Sequence, residues 1–89
     1  MKAFVTVIGE DKIGIIHGVT GILKQFNVNV LDINQTLLQG YFTMIMFVDL
    51  VNMNIDFAKL IENLDQLSDT LGVKIKLQHE DIFNSMHTI

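Results

Sequence analysis

Along residues 2–8 the apolar positions are almost continuous: Ala3, Val5 and Val7 on one parity, Phe4 and Ile8 around Thr6 on the other. A run of that kind, stopped by Gly9-Glu10-Asp11, predicts a short strand buried on both faces and therefore central in a sheet. From Ile13 the period lengthens. Ile16, Val19, Leu23 and Phe26 recur at helical spacing with Ile15 and Ile22 beside them, while His17, Thr20 and Lys24 stand opposite, so an amphipathic helix is expected over 14–26. Asn27-Val28-Asn29 breaks it. Period two returns in Val30–Leu38, where Leu31 and Ile33 alternate with Asp32 and Asn34, and Gln39-Gly40 supplies a tight turn.

Residues 41–50 form the strongest strand pattern, and both parities are apolar: Tyr41, Ile45 and Phe47 on one, Phe42, Met44, Met46 and Val48 on the other. One helical layer covers one face, so the other needs a second cover. After the polar link Asn52-Met53-Asn54, the positions Phe57, Leu60, Ile61, Leu64, Leu67 and Leu71 predict a second helix, with Asn54 or Asp56 as N-cap and Gly72 as its stop. Val73, Ile75 and Leu77 alternate with Lys74, Lys76 and Gln78 in a last strand with one wet face. The tail at 80–89, EDIFNSMHTI, places Ile82, Phe83, Met86 and Ile89 on one or two amphipathic turns. It is expected to pack on the domain or on a partner subunit.

The order βαββαβ predicts one α+β domain over 1–89, a ferredoxin-like sandwich with a four-stranded antiparallel sheet and two helices on one face. Right-handed crossovers put the first strand beside the third and the second and fourth at the edges. The loop from Glu10 to Gly14 is then expected close to Asn29 and Val30.

Composition narrows the chemistry. A hydrophobic fraction of 49% and a mean hydropathy of +0.40 are high for 89 residues, a size that leaves much surface wet, so a homodimer is expected. Its interface is expected to use Met44, Met46 and Val48 with Phe83 and Met86 of the tail, or the edge of the second strand. The absence of cysteine excludes disulfides and thiolate chemistry and fits a reducing cytoplasm. The longest apolar run, Met44–Val48, is too short to span a membrane. A net charge of -4 with lysine as every base disfavours nucleic acid. Residues 39–46, QGYFTMIM, resemble an RNA-recognition strand only superficially, since Gln39 is not basic and Phe42 fills the position that must be small. His17, His79 and His87 lack ligand spacing, and Ser68 and Ser85 lack an obvious base. No catalysis, metal or cofactor is expected.

One stretch resists the bland reading. GEDKIGIIHGVTGIL, residues 9–23, carries four glycines, and each one inside a helix forgoes about 1 kcal/mol relative to alanine. Close approach by a packed neighbour or by a ligand offsets such losses. Gly18 and Gly21 read as room for the second helix; Gly14, with Asn29, reads as room for a ligand.

These residues resemble a known family. A strand, then G-E-D-K-I-G-I-I at 9–16, a helix, and N-V-N-V-L-D-I at 27–33 look like the ACT domain, a small regulatory module that commonly binds amino acids. Asp11, Lys12 and Gly14 match its helix-start motif and Asn29 with Val30 its second-strand motif, while Ile13 stands where the family has proline. The tail is similar to that of small stand-alone ACT proteins. The resemblance implies a regulatory homodimer without catalytic activity, holding an amino acid or similar metabolite among Asp11, Lys12, Gly14, Ile15, Asn29, Val30 and Asp32. In that picture free N–H groups at the helix start take the ligand carboxylate, and Asp11 or Asp32 takes its ammonium. Binding would alter the dimer or a regulated protein partner. A ligand-free interaction module with a vestigial site is the alternative, and a histidine metal site a remote one.

Overall fold

The computed structural model describes the backbone of residues 1–87 and the side chains of residues 1–84. Its elements are β1 (Lys2–Gly9), α1 (Lys12–Gln25), β2 (Asn29–Leu38), β3 (Tyr41–Asp49), α2 (Phe57–Leu71), β4 (Lys74–His79) and α3 (Glu80–His87). The sheet order is β2-β3-β1-β4 with every pairing antiparallel, so the expected βαββαβ sandwich and the central position of β1 both hold. Met86 and Ile89 of the tail lie outside the described side chains.

Local chemistry sets the helix ends. α1 starts earlier than its apolar periodicity suggests because Asp11 caps it: the Gly14 N–H donates to Asp11 Oδ1 at 2.9 Å. It closes with Asn27 at φ 59°, the Asn27 N–H on the Lys24 carbonyl at 3.2 Å and the Val28 N–H on that of Leu23 at 2.8 Å. This paired closure directs Val28 back into the core. At α2 the cap is Asp56, whose Oδ1 accepts from the Lys59 N–H at 2.8 Å, and Gly72 ends the helix at φ 68°. Gln39 and Gly40 both take positive φ, 51° and 83°, the backbone that matches a two-residue hairpin to strand twist.

Side-chain parity sorts the two sheet faces. Ala3, Val5 and Val7 of β1 with Phe42, Met44, Met46 and Val48 of β3 meet Ile15, Val19, Leu23, Leu60 and Leu64 of α1 and α2 in the core. Met44, Met46 and Val48 are 1%, 0% and 0% exposed within one chain, which corrects their expected role at an interface: the helix layer already covers them. On the opposite face α3 packs through Phe83, stacked on Phe4 with ring centroids 4.0 Å apart. The described part of the tail therefore folds onto its own domain, and Phe83 covers its own sheet.

β2 departs from simple alternation. A bulge between Val30 and Asp32 puts Val30 opposite Val48 and Ile33 opposite Met46, while Asp32 faces Phe47. Val30 and Ile33 thus share the helix side, although uninterrupted period two assigns them to opposite faces. Leu31–Leu38 are exposed throughout, Leu37 and Leu38 at 70% and 69%.

The register also separates the two halves of the expected site. Gly9 pairs with Phe42 at one end of the sheet, whereas Asn29 and Lys2 both pair with Asp49 at the other. Seven residue steps at about 3.4 Å each give roughly 24 Å between them. The loop from Glu10 to Gly14 is therefore far from Asn29 and Val30 of the same chain, contrary to expectation.

Candidate functional site

The β1–α1 loop is built around one carboxylate. Besides the bond from the Gly14 N–H, the Asp11 carbonyl accepts from the Ile15 N–H at 2.9 Å, and the Lys12 N–H donates to the Glu10 carbonyl at 3.2 Å. A Cβ on Gly14 would collide with the Asp11 carboxylate. Gly14 thus leaves room for the chain's own cap. The donor expected to take a ligand carboxylate is already engaged, and the acidic group that holds it repels a second anion. Of the N–H groups expected to be free at this helix start, those of Gly14 and Lys12 are engaged by the chain itself.

The other glycines divide in the same way. A Cβ on Gly9 would strike Val73, and one on Gly18 would lie 2.9 Å from Leu67 Cδ1, so both glycines admit neighbours from the α2–β4 region. Gly21 meets nothing within 4 Å, which overturns its reading as room for α2. Gly21→Ala should therefore raise stability by about 1 kcal/mol, the helix-propensity difference. Gly18→Ala should recover less than that or destabilise, because Leu67 must give way. Urea denaturation of the two variants measures the contrast.

Asp11 lines a cleft of about 560 Å³, bounded at this end of the sheet by Ile8, Glu10, Tyr41 and Lys74 and closed by the turn at Leu71–Val73. Its lining includes two acidic residues and one basic residue beside Ile8, Tyr41, Leu71 and Val73. That combination suits a small zwitterion, ammonium toward Glu10 and Asp11 and carboxylate toward Lys74. The turn is fixed by the Gly72 cap and by the Ser68 hydroxyl, which donates to the Val73 carbonyl.

The structure brings Asp11, Lys12 and Gly14 together and leaves the other expected ligand residues elsewhere. Lys12 reaches back so that Nζ lies 5.8 Å from the Phe42 ring centroid. Ile15 is wholly buried in the core and its side chain has no access to a ligand. Asn29 and Val30 sit at the far end of β2, and Asp32 lies on the face that carries α3. Tyr41, Lys74 and the Gly72 turn were not among the expected site residues. The order of elements holds a signal for them, since alternating chain direction sends the β1–α1, β2–β3 and α2–β4 connections to one end. Among the described residues no three His, Asp or Glu side chains converge as a metal site, and no helix is long and apolar enough to cross a membrane.

Comparison with known proteins adds the decisive observation: residues 3–78 match the family model for the ACT domain. The chain belongs to the ACT-domain family. A UPF0237 protein from Clostridium perfringens is 54% identical over 89 residues, covering 100% of both chains. The structure of an ACT domain protein from Streptococcus pneumoniae superposes with a TM-score of 0.80 at 42% identity, covering 93% of each chain. The regulatory subunit of aspartate kinase from Thermus thermophilus shares the fold, with a TM-score of 0.64 at 22% identity over 86% of this chain and 50% of that one. ACT domains are commonly regulatory and ligand-binding, and in this ACT domain the β1–α1 loop and the start of β2 lie at opposite ends of the sheet.

Proposed function

We propose that this ACT domain is a non-catalytic regulatory module that binds an amino acid or similar small zwitterion between two copies. The ligand contacts the β1–α1 loop of one copy and the start of β2 in the other. The observation that carries the reading is the state of β2: an edge strand whose residues Leu31–Leu38 are exposed, with no neighbour on its outer side among the described residues. A long apolar edge is a template for another strand. Antiparallel pairing of two such edges about a two-fold axis puts Asn29 of one copy at the loop end of the other. Asp11 of the β1–α1 loop then takes the ammonium, and the second copy's Asn29 a further polar group. A regulatory role is supported by the family and by its use in a regulatory subunit of aspartate kinase.

With no arginine in the chain to clamp a carboxylate, affinity is expected in the micromolar to millimolar range. A thermal-shift screen against the twenty amino acids tests the reading. A ligand at 100 times its Kd adds about 2.7 kcal/mol, a rise of roughly 10–20 °C for a domain this small. Asn29→Ala should remove most of that rise while leaving the melting temperature of the ligand-free protein unchanged. No rise with any amino acid would favour the ligand-free interaction module instead.

A further inference from the structure

A second, smaller cleft lies on the face that carries α3, away from the β1–α1 loop. It measures about 240 Å³ and is lined by Phe4, Ile45, Phe47 and Phe83 with Asp32 and Asn34. Its making is legible step by step. Phe4 and Phe47 are direct cross-strand partners with ring centroids 4.7 Å apart, and Phe83 of α3 stacks on Phe4. α3 contacts β1 and β4, so it walls one side of the cleft and leaves β3 as floor. The other side is β2, where the bulge turns Asp32 and Asn34 onto this face opposite Phe47 and Ile45.

We propose that this cleft binds a small organic cation, a primary ammonium carried on a short apolar body. Three phenyl rings and an isoleucine supply the apolar half, and phenyl faces carry partial negative charge that attracts cations. Lys2 Nζ already lies 5.9 Å from the Phe47 centroid, so the ligand's ammonium belongs on the Asp32 side of the cleft, away from that cation. The polar half holds one ionised group. Asp32 Oδ1 accepts from the Ile33 N–H at 2.9 Å, and Oδ2 has no partner among the described residues. On the β2 side of the cleft the Asp32 charge selects a cation. Volume points to size: the cleft falls below the roughly 300–1,000 Å³ of sites that take drug-sized ligands, which suits a small ligand. Edge pairing of β2 uses backbone groups in the plane of the sheet and leaves this face open, so the site is independent of the one between copies.

The probe is 2-phenylethylamine, with 3-phenylpropionate as an anionic match of similar shape, followed by NMR on the full chain. Saturable shifts at Asp32, Asn34 and the three phenyl rings are expected with the amine and not with the acid, at a Kd on the order of millimolar. Asp32→Asn, an exposed substitution, should weaken binding roughly tenfold through loss of the charge-assisted bond and leave the fold intact. Phe83→Leu, which keeps the cleft wall but removes a ring, should weaken it as well. Absence of saturable shifts, equal response to the acid, unchanged affinity in Asp32→Asn, or shifts centred on residues 9–14 would each overturn the proposal.

Discussion

Met46→Ala is expected to destabilise the fold by about 2–5 kcal/mol, the range for truncating a fully buried long side chain. Met46 is 0% exposed, pairs with Val5 and Ile33, and lies in the cluster under α1 and α2. Its loss leaves a cavity in the middle of the sheet, where neighbours on both flanking strands resist collapse. If Met46 belonged to a subunit interface, the same substitution would lower stability only where dimers form. Chemical denaturation across a hundredfold range of protein concentration separates the cases. The change in stability should be the same at every concentration.

The second large effect is expected at β2. Ile33→Lys with Leu37→Lys places two charges on the helix side of the edge strand, at positions opposite Met46 and Phe42, where both native side chains are exposed. The monomer should tolerate them. Two edges paired about a two-fold axis would bring four lysines together, and like charges juxtaposed across an interface cost several kcal/mol, on the order of a hundredfold or more in dimer affinity. Sedimentation should show the native chain as a dimer and the double variant as a monomer. A native chain that is monomeric at high micromolar concentration would remove the basis of a shared site.

The apolar periods made most of the fold legible, because each element has one dominant burial pattern and a chemical stop. Asp56, Gly72 and the Gln39-Gly40 turn could be read from residue type alone. Two things escaped period counting. The β2 bulge shifts parity within the strand, and no residue between Val30 and Asp32 announces it in the way a glycine would. The second escapes because the residues that flank α1 in sequence lie at opposite ends of the sheet. A helix of 14 residues at about 1.5 Å per residue spans roughly 21 Å, which carries Asn29 to the far end. The apolar stripe of β3 posed a different problem. Both parities are hydrophobic, and parity alone does not say which face meets the helices; the packing of Ala3, Val5 and Val7 beside it decides.

Part of the site was legible for the same reason that part was not. The sequence reads Gly14, with Asn29, as room for a ligand, whereas the close approach that Gly14 permits is made by Asp11. A glycine reports that something comes near; it does not report what. Tyr41 and Lys74 carry no local motif, and only the alternation of chain direction brings them to Asp11.

The most direct test of a site shared between two copies is ligand binding by a mixture of two defective variants. Gly14→Val spoils the β1–α1 loop and Asn29→Ala spoils the start of β2, so each variant alone should fail to bind the amino acid that raises the melting temperature of the native chain. Mixed in equal amounts after exchange of subunits, they should recover about a quarter of the native sites by calorimetry, since half the dimers are mixed and each keeps one intact site of two. No recovery in the mixture, with dimers confirmed, would contradict a site built from both copies.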